Sequence, residues 1–229
     1  MKKFERFHLS YQAALLILSL GLSVIGCEEK PAKNTLGFQN EDASLLIAGA
    51  IFFSAFHSNG DGTITNSATG LTWKVCSQGQ TYVNTSGGYS CEGGGISNSG
   101  FGAAQYQYCN QNSSACNTVS TPQTLTNVSQ IGVGGSSEAF NNCSSDRTAG
   151  KTDWRVATYG ELKALGSSGR NEMLLKFPDT IEDYYWSSWA NEQDSSGQTA
   201  RAVSFAQNQF GTDFMASKTS RYYIRCVRP

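Results

Sequence analysis

Histidine is almost missing from this chain. Of 229 residues only His8 and His57 are histidine. His8 falls in a segment read below as a removable leader, which leaves His57 alone. A histidine-based triad, or a zinc site built from several imidazoles, is therefore excluded. Charge is scarce too, at 15%, and balanced: 17 Lys and Arg against 18 Asp and Glu, net −1. Nucleic-acid binding wants a basic face, and this composition supplies none. No glycine loop followed by Lys-Ser or Lys-Thr occurs, so no nucleotide signature is present. Beyond the N-terminus no apolar run reaches the roughly 20 residues that a membrane-spanning helix needs.

What is present begins with a targeting pattern. Lys2, Lys3 and Arg6 form a positive region, and Ala13 to Leu22 an apolar one. Val24-Ile25-Gly26-Cys27 then fits a bacterial lipobox, in which Cys27 is lipidated and becomes the new N-terminus. The expectation is a lipoprotein signal peptide over 1–26, followed by a polar linker over 27–42. The alternatives are a plain signal peptide with a chance cysteine, or an uncleaved anchor. A lipid on Cys27 would tether the chain to a membrane without spanning it. That places the protein at the cell envelope, at an outer membrane or the cell surface.

Cysteine count agrees with export. Removing Cys27 from the seven leaves an even six: Cys76, Cys91, Cys109, Cys116, Cys143 and Cys226. In an oxidising compartment these form disulfides, although spacing alone does not choose among the pairings.

The apolar segment over 43–58, rich in Leu, Ile and Phe, is either a helix packed on the domain or on a second copy, or a segment lying on the membrane. Asn59-Gly60-Asp61-Gly62 imitates half of a calcium loop, but His57 and Ala68 stand where the first and last carboxylates belong. A hairpin is the better reading: Ile64 alternates with Thr63 and Thr65, Asn66 to Gly70 turns, and Leu71 and Trp73 return on one face. Gly79 to Gly135 reads as long polar loops. Tyr82, Tyr89, Phe101, Tyr106 and Tyr108 there are either recognition aromatics or small satellite cores.

Further on, Ser136 or Ser137 caps a helix through Glu138 to Cys143. Trp154-Arg155-Val156 reads as a short strand. Thr158 and Glu161 then form a capping box, Leu162 and Leu165 follow at helical spacing, and Gly166 supplies the stop. Met173 to Phe177 is a brief apolar patch ended by Pro178. Tyr184 to Trp189 is an aromatic strand, Val203 and Phe205 mark another, and Asn208 to Gly211 a turn. In the final strand Tyr222, Ile224 and Cys226 share one face and Tyr223, Arg225 and Val227 the other. The sum is an α+β domain over 59–229, a mixed and mainly antiparallel sheet with two short helices.

Four blocks stand out in order: Asp61-Gly62-Thr63-Ile64-Thr65 with Thr69-Gly70-Leu71-Thr72-Trp73; Asp153-Trp154-Arg155 with Thr158, Glu161 and Leu162; Tyr185-Trp186-Ser187-Ser188; and Tyr223-Ile224-Arg225-Cys226-Val227-Arg228. Together they resemble the Lcl C-terminal domain family. Val156-Ala157 stand in place of that family's Leu-Pro, and Thr72 in place of its Met. The resemblance implies a C-type-lectin-like fold with long disulfide-held loops, acting at cell surfaces. With proximity, it also implies the pairs Cys76–Cys91, Cys109–Cys116 and Cys143–Cys226. Related lectin-like domains include enzymes that use unpaired cysteines; with all six bridged, that chemistry is not expected here.

Two carboxylates set across a scissile bond are what a glycosidase requires. Asp179, Glu182, Asp183, Glu192, Asp194 and Asp213 flank the aromatic strand, but solvated surface acids are the expectation. No enzyme and no cofactor is expected. Calcium stays open in the loop Trp189 to Asp194, where Asn191, Glu192 and Asp194 offer hard oxygens and Trp189 a ring for a sugar to stack on. The Glu-Pro-Asn and Trp-Asn-Asp tripeptides of calcium-dependent lectins are absent. Trp73, Trp154 and Trp186 read as core. Arg225 and Arg228 read as structural partners of carboxylates. The expected function is a non-catalytic ligand-binding surface lipoprotein, an adhesin for host matrix or glycans. The alternative is a structural envelope lipoprotein that binds another protein or forms a homo-oligomer through Ala43 to Phe56.

Overall fold

The C-terminal run from Arg221 explains how the domain is closed. The computed structural model describes residues 55–93, 102–116, 135–167 and 169–229. The leader, Cys27, the linker, residues 43–54 and Phe101 lie outside the described residues. Alternation predicts one final strand. The structure makes it a run that changes partner twice. Strand β11 (Arg221–Tyr222) pairs with β6 (Tyr106–Gln107). Tyr223 then forms a parallel bridge to Tyr185 of β8 (Tyr184–Ala190), with Trp186 N–H on the Tyr223 carbonyl at 2.9 Å. Finally β12 (Cys226–Arg228) enters a five-stranded sheet.

That sheet runs β1 (Phe56–Ser58), β2 (Thr63–Asn66), β3 (Thr72–Lys74), β12, β7 (Arg155–Val156), with antiparallel neighbours throughout. The β2–β3 hairpin closes as its turn chemistry predicts. Asn66 Oδ1 accepts from Ala68 and Thr69, and Gly70 takes φ +73°. A second sheet orders β8, β9 (Thr199–Ser204) and β10 (Asp213–Ser217), all antiparallel. The ribbon β4 (Thr81–Thr85) and β5 (Gly88–Glu92) stands apart.

Both faces of the C-terminal run are buried. Tyr223 and Val227 join one core with Trp73, Phe177, Tyr185 and Leu162. Tyr222, Ile224 and Cys226 join a second with Trp154, Trp186, Tyr108 and Phe140. All three core tryptophans are buried. Disulfides join Cys76 to Cys91, Cys109 to Cys116, and Cys143 to Cys226, which are the pairs the family resemblance implies. The loop between Cys109 and Cys116 is further held by buried Lys218, whose Nζ donates to the carbonyls of Ala115 at 2.8 Å and Ser113 at 3.2 Å.

Three helices are described where two are expected. In α1 (Glu138–Ser144) the cap is Ser137, whose hydroxyl accepts from Phe140 N–H. Helix α2 (Tyr159–Ser167) starts at the Thr158 box. The extra one is α3 (Arg170–Lys176), where the sequence shows only an apolar patch; no side chain caps it, so no start signal was there to read. Gly166 lies inside α2 and does not end it. A Cβ there would sit 2.7 Å from the Cα of Gly211, so the glycine serves a close backbone approach.

Arg225 overturns its expected role. It is fully buried, and no carboxylate among the described residues meets it. Nη1 donates to the carbonyls of Val75 at 2.6 Å and Lys74 at 3.2 Å; Nη2 donates to Thr180 Oγ1 at 2.7 Å and Ser77 Oγ at 3.4 Å. Its guanidinium carbon lies 4.7 Å from the Phe177 ring centroid, a cation–π contact. Arg228 does hold a carboxylate, that of Asp153, through Nε at 2.6 Å and Nη2 at 2.9 Å.

Arg225→Met keeps a long apolar stem but strands those carbonyls and hydroxyls. It is expected to cost about 3 kcal/mol in urea unfolding, read as a lower midpoint at unchanged slope. A loss below about 1 kcal/mol would mean that the guanidinium is dispensable.

Candidate functional site

A bulge in β8 creates a chemically mixed surface. Trp186 pairs with Ala202 and Ala190 with Ala200, so Ser187, Ser188 and Trp189 together stand opposite Arg201. The surplus residues are not left unsatisfied. Ser187 Oγ donates to the Arg201 carbonyl at 2.9 Å, and Trp189 N–H to Ser187 Oγ at 3.2 Å. Ser188 N–H donates to the Ala157 carbonyl at 2.8 Å, while Tyr108 OH donates to the Ser188 carbonyl at 3.1 Å. The bulge turns Trp189 onto Tyr159 in the first turn of α2, with ring centroids 5.6 Å apart and planes tilted by 37°.

Tyr159 is fixed from three sides. The Arg201 guanidinium carbon lies 5.1 Å from its ring centroid. Glu192 holds that guanidinium in turn, at 2.8 Å and 3.3 Å. The Tyr159 hydroxyl donates to Asp213 Oδ2, whose other oxygen pairs with Lys163 at 2.8 Å. Beneath lies the capping box. Thr158 N–H donates to Glu161 Oε2 at 2.7 Å and Glu161 N–H to Thr158 Oγ1 at 3.2 Å, while Arg155 grips the same carboxylate at 2.6 Å and 2.8 Å. The strand-to-helix motif thus sets the position of Tyr159 and, through it, of Trp189.

The four loop residues expected to act together fall into two groups. Trp189 and Glu192 belong to this face. Asn191 and Asp194 instead close the β8–β9 loop. Asn191 Nδ2 donates to Thr199 Oγ1 at 2.9 Å. Asp194 accepts from Ser196 N–H and hydroxyl, Gln198 N–H, and Thr199 N–H and hydroxyl, between 2.5 and 3.0 Å. Both of its oxygens are thereby engaged, and the carboxylate of Glu192 is turned to Arg201. This donor set does not fit calcium, which wants several free oxygens converging on one point. Among the described residues no three His, Cys, Asp or Glu side chains gather as metal ligands.

Electrostatics follow the contacts. Hydrogen bonds from Ser196 and Thr199 hold the Asp194 carboxyl well below the usual range. The Arg201 hydrogen bond lowers Glu192. For Asp213, burial would raise the value, but Lys163 and Tyr159 outweigh it and the carboxyl is lowered. Burial, then the Asp213 carboxylate, pushes the Tyr159 hydroxyl up to about 12. Of the flanking acids, Glu182 is lowered as well, by its hydrogen bond from Arg170. A general acid at neutral pH needs a raised carboxyl, and these four move the opposite way. Tyr159, Arg201 and Met215, which pairs with Arg201 across the sheet, are not among the residues the sequence singles out. The two-residue period places Arg201 and Val203 on one face; nothing local shows that this face meets Tyr159.

A family model, that of the Lcl C-terminal domain, matches residues 62–228. No curated protein and no solved structure matches the chain. The chain belongs to the Lcl C-terminal domain family.

Burial alone would raise the Glu161 carboxyl, but Arg155 and the Thr158 bonds reverse this and hold it below its ordinary 4.5. A carboxyl lowered on folding contributes stability that is complete above its unfolded value and is lost as pH falls through the folded one. Glu161→Gln keeps the capping box and removes the charge. It is expected to cost about 1 kcal/mol at neutral pH, a deficit that closes in acid. Urea unfolding of both proteins across the acid range checks this; a deficit independent of pH would sink the assignment.

Proposed function

We propose that this member of the Lcl C-terminal domain family is a non-catalytic binding module of the bacterial envelope. It is tethered through lipid on Cys27 and serves as an adhesin for host matrix or glycans. The family match points to a surface-associated domain, and the adhesive role extends that. One observation carries the non-catalytic reading: the acids around the aromatic strand are spent on structure. Glu182 pairs with Arg170, Glu192 with Arg201 and Asp213 with Lys163. Asp194 closes its own loop, Asp179 Oδ2 accepts from Cys91 N–H, and Asp183 Oδ1 from Tyr184 N–H. With six cysteines in disulfides, no thiol nucleophile is on offer among them either.

The test is capture of glycans and matrix proteins on an array by the full chain, once with calcium and once with chelator. Capture in both conditions is the expected outcome, because the loop acids do not fit calcium. Capture abolished by chelator would restore a metal site. No capture at all would favour the structural envelope protein that binds another protein.

A further inference from the structure

The face around Trp189 has a chemistry that selects among ligands. Its cations and acids are matched, Arg201 with Glu192 and Lys163 with Asp213. It therefore offers no net attraction to a sulfated or acidic chain, nor to a basic one. The charges are not equally accessible. The Arg201 side chain is only 12% exposed, while those of Glu192, Asp213 and Lys163 are 45%, 43% and 38% exposed. What reaches solvent is thus hydrogen-bonding charge at the rim, two carboxylates and the Lys163 ammonium, with hydrocarbon in the middle. Trp189 is half-buried, and its indole nitrogen is buried without an acceptor, so the exposed part of that side chain is purely carbon. Tyr159 is half-buried beside it, and Met215 is 37% exposed next to Arg201 across the sheet.

Such a surface fits a molecule with a C–H face and a ring of hydroxyl donors. Aliphatic C–H groups carry slight positive charge and meet the negative face of an aromatic ring. Hydroxyls find acceptors in the carboxylates, and hydrogen bonds to charged acceptors are the stronger kind. The ion pairs and the tyrosine–aspartate bond hold the rings in place beforehand, so little side-chain freedom is lost on binding.

We propose that Trp189, Tyr159 and Met215, rimmed by Glu192 and Asp213, form a metal-free subsite for a neutral pyranose of an oligosaccharide. This rests on the binding-module reading and names the ligand class of that module. Asn191 and Asp194 shape the neighbouring loop and make no contact with the sugar.

Tryptophan fluorescence reads this site selectively, because Trp73, Trp154 and Trp186 are buried and Trp189 is not. The full chain is titrated with neutral glucan, mannan and galactan oligomers and with sulfated and uronic counterparts. At least one neutral class should give a saturable change, indifferent to chelator and flat from low to high salt. By calorimetry, Trp189→Ala should weaken that binding about tenfold. Met215→Glu, at an exposed position, should weaken it without touching the core; near-ultraviolet circular dichroism checks the fold of both. The subsite is overturned if no neutral oligosaccharide binds, if only charged glycans bind and salt removes them, or if both variants bind like the parent. Array capture that survives both substitutions would leave the binding module standing and remove this subsite; an array with no capture would remove the module itself.

Discussion

The buried guanidinium of Arg225 is the constraint around which the domain is arranged. A charge taken out of water is tolerated only where polar groups replace its hydration. Here they come from two distant parts of the chain: the stretch at the end of β3, with the carbonyls of Lys74 and Val75 and the hydroxyl of Ser77, and the hydroxyl of Thr180 after α3. Phe177 and Tyr185 supply ring faces at 4.7 and 5.8 Å. The five-stranded sheet, the helical segment and the aromatic strand must therefore all arrive before the charge is accommodated. Thr180 also donates to the Phe177 carbonyl at 2.6 Å, so the group that receives the guanidinium also secures the chain behind α3.

The Trp189 face inherits its rigidity from this arrangement. Tyr185 faces the Arg225 core and Trp186 the opposite one, which fixes the first half of β8. The bulge then detaches Ser188 from β9, before Ala190 pairs with β9 again, and the Ser188 N–H donates to the Ala157 carbonyl after β7. The same short stretch carries Arg155, Thr158 and Tyr159. The candidate face and the scaffold are therefore coupled over a few residues, so the face is carried on strands and a helix start. Elsewhere the fold supplies an internal cation in Lys218, which holds the small disulfide loop by its carbonyls.

Local chemistry was the legible part of the sequence. The Thr158–Glu161 box, the Asn66–Gly70 turn, the Ser137 cap and the two-residue alternation of the last strand depend on neighbours within a few positions, and each reads correctly. The partners of that strand were not legible, because Tyr223 changes sheets for reasons set by Tyr185, some forty positions away in sequence. Helix α3 has no capping side chain to announce it. Arg225 looked like a carboxylate partner because carbonyl and hydroxyl acceptors leave no charge pattern. Asp194 looked like a metal ligand because a carboxylate among polar residues reads the same whether its donors are a cation or the loop's own N–H groups. The bulge at Ser187 to Trp189, which assembles the candidate face, carries no Gly or Pro to mark it.

The C-terminal run has a consequence for cooperativity. Residues Tyr223 to Arg228 bridge to β8, complete the five-stranded sheet between β3 and β7, and provide Cys226 for the bond to Cys143. A chain that lacks them has β3 and β7 unpaired with each other, no Arg225 and an unmatched Cys143. Neither the sheet nor the long-range disulfide closes without this run, so the segments before it depend on it to fold as one cooperative unit.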